Sequence, residues 1–79
     1  MPQIEIEFGK LVRKYRERLD LSQEAFAEKA GVHRTYISSI ELGKVQVSIG
    51  VASNLIDALD VSMSTFWRAL EKAMQEEDA

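Results

Sequence analysis

Between Gln23 and Leu42 the chain carries two short helical patterns separated by only three residues, and no other feature limits its possible folds so strongly. The first pattern runs from Gln23 to Ala30. Ser22 stands before it, where a serine hydroxyl can accept from the free N–H groups of an opening turn. Gly31 follows at the place where a helix closes in the left-handed region, which glycine enters without a Cβ penalty. A second pattern restarts near His33 or Arg34 and runs to about Leu42, with Gly43 as the next stop signal. The spacing predicts two helices crossing steeply over a tight turn. Phe26, Ala30, Val32, Ile37 and Ile40 would point into their shared core, and Ala27 is small where the helices approach.

Three further helices are expected around this pair. Phe8, Leu11, Val12, Tyr15 and Leu19 recur at offsets of three and four, one apolar stripe on a helix from about Glu5 to Leu19. Lys10, Arg13, Lys14, Arg16 and Arg18 read as the other, charged half of that helix. Ser48 can cap a helix from Ile49 to Leu59, whose inward stripe is Ala52, Leu55, Ile56 and Leu59. After a break at Asp60-Val61, Ser62 or Ser64 can cap a last helix, about 63–77, in which Met63, Phe66, Trp67, Leu70, Ala73 and Met74 keep the period. The expected fold is all-α, five helices with no sheet, forming one domain over residues 1–79, without repeats, low-complexity tracts or long linkers.

Composition removes several classes of function. With 79 residues there is room for one core. Cysteine is absent and His33 is the single histidine, so disulfides, thiol nucleophiles and Cys/His zinc sites have no ligands, and no cofactor is expected. No segment approaches membrane-spanning length, and the acidic, alternating stretch Met1 to Glu7 lacks a basic and then apolar signal pattern, so no membrane partner and a cytoplasmic location are expected. Ser38, Ser39, His33 and Glu41 show no nucleophile, base and orienter arrangement; neither an enzyme nor a small-molecule substrate is expected. The net charge of −3 argues against a nucleic-acid partner, but the charge is unevenly distributed. Gly9 to Gln46 is net +3 and Val47 to Ala79 is net −4.

Leu21-Ser22-Gln23-Glu24, Ala30-Gly31-Val32 and Tyr36-Ile37-Ser38-Ser39-Ile40-Glu41-x-Gly43 together resemble the Cro and repressor (XRE-type) helix-turn-helix regulators, over about Phe8 to Phe66. Arg34-Thr35-Tyr36-Ile37-Ser38, Val47-Ser48-Ile49, Ala58-Leu59-Asp60-Val61-Ser62 and the overall length look most like the controller proteins of restriction-modification systems. The chain departs from that narrower pattern at Lys44, Val45 and Gln46, where the controllers usually carry Arg and Asn. The resemblance implies a five-helix, lambda-repressor-like DNA-binding domain with its motif at about 23–42. In such domains the second helix of the motif lies in the major groove with its N-terminal residues at base edges.

On that reading Arg34 is the foremost base-reading candidate, since its guanidinium fork can donate to guanine O6 and N7. Thr35 can meet a thymine methyl or a phosphate, and Tyr36, Ser38 and Ser39 bring hydroxyls for base edges or phosphates. Gln23, at a helix start, is placed for a phosphate through its backbone N–H and its amide, as the family uses it. Lys10, Arg13, Lys14, Lys44 and Gln46 are lesser phosphate candidates, against the alternative that several of them simply solvate the surface. The competing readings are an Arg34 pair with Glu24 or Glu41, a half-buried Tyr36, a His33 that solvates or caps the third helix, and a Glu41 that pairs locally as a structural residue.

One recognition helix reads few base pairs, so a homodimer on a roughly palindromic duplex operator is expected. Met63, Trp67, Leu70 and Met74 are the expected dimer residues, against the alternative that Phe66 and Leu70 are core. The acidic C-terminal half would face away from DNA or toward another protein, with RNA polymerase a candidate. The alternatives are a phage-type repressor, an antitoxin-like regulator, or a protein-interaction module of this fold without DNA binding.

Overall fold

The structure is a computed structural model, and it describes residues 4–78; the ends of the expected 1–79 domain and the first residues of the Met1 to Glu7 stretch lie outside them. Five helices follow one another: α1 (Ile4–Arg18), α2 (Gln23–Ala30), α3 (Arg34–Glu41), α4 (Ile49–Ala58) and α5 (Met63–Asp78). No strand occurs among the described residues.

Local chemistry sets the boundaries. Ser22 Oγ accepts from the Ala25 N–H at 3.0 Å, Ser48 Oγ from Val51 at 3.1 Å, and Ser62 Oγ from Thr65 at 3.1 Å, so Ser62 rather than Ser64 starts α5. Gly31 closes α2 at φ 75°, its N–H returning to the carbonyls of Ala27 and Glu28. His33 is the N-cap of α3: its Nδ1 accepts from the Thr35 N–H at 3.2 Å. The expectation of no repeat misses a short one. Leu19-Asp20-Leu21-Ser22 and Leu59-Asp60-Val61-Ser62 are the same corner used twice, an aspartate in the left-handed region (φ 57° and 60°) followed two residues later by a capping serine. Aspartate tolerates that region better than most side chains.

The core is a single cluster in which Val12, Phe26, Ile37, Ile40, Leu55, Ile56, Leu59 and Phe66 are fully buried. Phe66 sits at the aromatic centre, edge-on to Phe8 with centroids 5.2 Å apart and 6.0 Å from Tyr15. Leu70 is also core, 3% exposed, and cannot serve a dimer surface: its position on α5 points it inward beside Phe66, whereas Met63 and Trp67 face outward. Met74 is half-buried against the core. Ala30 and Val32 are likewise only partly covered, at the edge of the turn they flank.

Gly9, on the buried side of α1, is where α1 meets α3. A Cβ there would overlap the Ile40 carbonyl oxygen and lie 3.0 Å from that of Glu41, so the two helix backbones are in direct contact.

Candidate nucleic-acid interface

The opening turns of α2 and α3 face the same solvent-exposed hollow, lined by Ser22, Gln23, Glu24, Arg34, Thr35 and Ser38. Because the Ser22 hydroxyl takes the Ala25 N–H, the backbone N–H groups of Gln23 and Glu24 stay open at the positive end of α2. Ile37 and Ile40, both buried, fix the opposite face of α3 to the core, so its first turn projects from a rigid support.

Arg34 reaches from the start of α3 across to α2, its Nη1 3.7 Å from Glu24 Oε2. Both side chains are well exposed, and such a pair stabilises by about 0–1 kcal/mol, so it holds the guanidinium over the hollow without committing it. The Glu41 alternative for Arg34 is not realised. Since His33 Nδ1 accepts the Thr35 N–H, it carries no proton, and the Thr35 hydroxyl 2.8 Å away is the donor to it. That hydroxyl proton is thereby engaged, leaving the Thr35 methyl and the acceptor lone pairs of the hydroxyl oxygen free to meet a ligand. Ser38 is half-buried and lines the hollow; Ser39 is half-buried outside it. Tyr36 packs partly against the core, as the alternative reading had it, so only part of its ring faces outward.

Beneath the hollow lies a network whose extent the sequence reading missed. Glu41 Oε2 accepts from Arg16 Nε at 2.7 Å, and Glu41 Oε1 accepts from Arg16 Nη2 and from Gln23 Nε2, each at 3.0 Å. Arg16 Nη1 donates to the Leu21 carbonyl at 2.7 Å. The Arg16 and Glu41 side chains are only 10% and 4% exposed. Arg16 therefore does not belong to a solvated charged half of α1, and the partner of Glu41 is not local but comes from another helix. The hydrogen bonds that Arg16 donates to Glu41 raise the Arg16 pKa above its ordinary value, against the opposing effect of burial and with further help from the Glu41 and Glu17 charges. The signal was present: Arg16 stands four residues after Val12 and three before Leu19, inside the apolar stripe. The network ties α1, the α1–α2 corner, α2 and α3 together, and it holds the Gln23 amide while leaving its second N–H unused.

The remaining phosphate candidates separate. Lys10 and Lys14 line a different hollow, between α1 and α5, with Lys72 and the acids Glu7 and Glu76, and Lys10 lies 3.5 Å from Glu7. Arg13 is exposed and paired with Glu17 at 3.1 Å. Lys44 is exposed just past α3. Gln46 stands in a third, apolar hollow beside Ile4, Phe8 and Trp67. Among the described residues no cluster of His, Cys, Asp or Glu could hold a metal ion, and no helix is long and apolar enough to cross a membrane.

Residues 12–66 match the helix-turn-helix family. Control protein C.MunI from a Mycoplasma species is 41% identical over 73 residues, which span 91% of this chain and 99% of that protein. The crystal structure of the wild-type restriction-modification controller protein C.Esp1396I superposes with a TM-score of 0.87 at 27% identity, covering 94% of this chain and 95% of that one. The tetramer of the same controller in complex with its natural 35-base-pair operator superposes with a TM-score of 0.85 at 28% identity, covering 91% and 95%.

Proposed function

The chain belongs to the helix-turn-helix family and, within it, to the control proteins, and on that premise we propose that it is a sequence-specific DNA-binding regulator of transcription. It binds a roughly palindromic operator as a dimer, in the cytoplasm, as the controller of a restriction-modification system. Its role is recognition, with no catalytic step. The observation that carries this reading is the shared hollow, where two helix N-termini and the Arg34 guanidinium face solvent from a rigid support. A relative of the same fold is known as a tetramer on its operator, which agrees with it.

In this reading the first turn of α3 enters the major groove. Arg34 leaves its weak pair with Glu24 and donates two hydrogen bonds to a guanine edge, while the Thr35 methyl meets a thymine and the Ser38 hydroxyl a neighbouring base or phosphate. The open N–H groups at the start of α2 and the spare Gln23 amide proton hold a backbone phosphate. Lys44 adds a phosphate contact beyond the end of α3, and Ser39, Tyr36 and Arg13 are lesser contributors. Lys10 and Lys14, beside α5, drop out as contacts to the same half-site. Two copies set their α3 helices about one DNA turn apart, roughly 34–36 Å, on one face of the duplex.

Selection from a random duplex pool, with wild type and Arg34→Ala, at about 50 and 200 mM salt, tests the reading. A twofold-symmetric site is expected, with affinity falling steeply in salt. Arg34→Ala should erase preference at one base pair per half-site, where discrimination of about 1–3 kcal/mol is at stake. No enriched site, or one indifferent to Arg34, would sink the mechanism in favour of a protein-binding module.

A further inference from the structure

Serines cap α2, α4 and α5, whereas α3 opens on His33. A serine hydroxyl both donates and accepts. At the start of α5 the Ser62 and Ser64 hydroxyls lie 3.3 Å apart and either can be the donor, so the polarity of that pair is open. The equivalent pair on α3 is His33 with Thr35, and there the polarity is closed. Nδ1 of His33 accepts from the Thr35 N–H at 3.2 Å, so it carries no proton and has nothing to donate to the Thr35 hydroxyl 2.8 Å away. The hydroxyl must be the donor. Its proton is turned to the ring, and only the oxygen lone pairs are left for a ligand.

That polarity bears on base choice, because Thr35 is exposed in the first turn of α3 and lines the hollow beside Arg34. In the major groove an oxygen that only accepts can pair with the amino group of adenine N6 or cytosine N4. Guanine O6 and N7 and thymine O4 are acceptors themselves, and setting one of them against Thr35 opposes two acceptors with no proton between them. A hydroxyl free to turn would pair with either class of base. The ring that fixes it stands apart from the DNA-facing hollow. His33 lies in a neighbouring one with Val32, Arg34 and two acids of α2, Glu24 and Glu28, a poor place for a phosphate.

We propose that His33 is a positioning residue for sequence choice: by holding the Thr35 hydroxyl as an acceptor, it restricts the base opposite Thr35 to adenine or cytosine. The inference rests on the reading of α3 as the helix that enters the major groove, and it adds to that reading a residue that sets specificity without touching DNA. The Thr35 methyl is indifferent to the direction of the hydroxyl proton and keeps its own contact.

The test is selection from a random duplex pool at about pH 8, above the range in which histidines ordinarily change charge. It compares wild type, Thr35→Val, His33→Ala, His33→Asn and the double variant His33→Ala, Thr35→Val. Thr35→Val keeps a methyl and removes the hydroxyl, so the position where it relaxes preference is the one the hydroxyl reads. Wild type should prefer adenine or cytosine there. His33→Ala should raise guanine and thymine at that position alone, by at least about threefold, the size of one net hydrogen bond. His33→Asn, whose Oδ1 can cap α3 and accept as Nδ1 does, should restore the wild-type preference. In the Thr35→Val background, His33→Ala should leave base preference unchanged. Ring-nitrogen chemical shifts of the single histidine check the polarity directly, with the proton expected on Nε2. A proton on Nδ1 overturns the inference, as does indifference to Thr35→Val or a wild type that prefers guanine or thymine at that position. So does a His33→Ala that weakens all sequences alike, which would be a lost cap only, or one that still changes preference beside Thr35→Val, which would be a ring touching DNA. Each of these, on a site that still depends on Arg34, leaves the DNA reader standing. A wild type that selects no site overturns both.

Discussion

Glu41 accepts two N–H groups of Arg16 and one of Gln23, so removing its carboxylate strands a guanidinium that is nine-tenths covered. Breaking a buried pair by deleting one partner typically costs about 3–5 kcal/mol, against a total stability of about 5–15 kcal/mol for a domain of this kind. Glu41→Ala is therefore expected to lower the urea midpoint severely, and Arg16→Met with Glu41→Leu to recover most of the loss, because the double change leaves no unpaired charge. A Glu41→Ala loss below about 1 kcal/mol would mean that water reaches Arg16 freely. The pH dependence has a definite sign. The Arg16 pKa is raised in the folded state, so its share of stability is present below the unfolded value and is lost only as pH climbs through the raised one. Across neutral and mildly alkaline pH that share is constant. Arg16 also marks a limit of sequence reading: its residue type suggested solvent, its spacing placed it on the apolar stripe, and here spacing decided.

At the scale of the elements, the parts legible in advance were those set by neighbours in sequence. Ser22, Ser48 and Ser62 cap the helices they precede, Gly31 makes the turn, and the α4 stripe with Phe8, Leu11 and Val12 of the α1 stripe became core because helical period is a local property, while Tyr15 is only partly buried and Leu19 falls past the end of α1 and outside the core. What depends on which helix packs where was not legible: the inward turn of Leu70 stood only as the alternative to a dimer role, and neither the place of Lys10 and Lys14 beside α5 nor Gly9 as the contact between α1 and α3 was read. The last point can be tested. Gly9→Ala should gain about 1 kcal/mol from helix propensity. The new Cβ must, however, push back the Ile40 carbonyl, and overpacking of this kind costs about 1–3 kcal/mol. A net loss of stability is expected, with a larger loss of operator affinity, since α3 carries Arg34 and is the helix displaced. A stabilised Gly9→Ala with unchanged DNA binding would show that α1 and α3 can separate at no cost.

For the whole molecule the question is how a chain of net charge −3 approaches a polyanion. Its dimensions, 36 × 24 × 22 Å, supply the answer when set against screening. At about 0.15 M salt the Debye length is about 8 Å, so DNA facing the α2–α3 hollow feels Arg34, Lys44 and the helix N-termini, and acids on distant parts of the surface are largely screened. At about 0.01 M it is about 30 Å, comparable with the protein itself, and the total charge is felt. Asp57 on α4 and Glu71 on α5 are exposed, carry no ion pair among the described residues and line no part of the reading hollow. Asp57→Asn with Glu71→Gln removes two negative charges from the total while leaving every proposed contact intact. The association rate should therefore rise several-fold at about 0.01 M salt and by little at about 0.15 M, because steering acts on encounter and is screened. The dissociation rate and the selected base sequence should not change. Stopped-flow binding to the selected operator at both salts decides the matter. An altered sequence preference, or a gain that persists at high salt, would place these carboxylates in contact with the duplex and require a different docking of the domain.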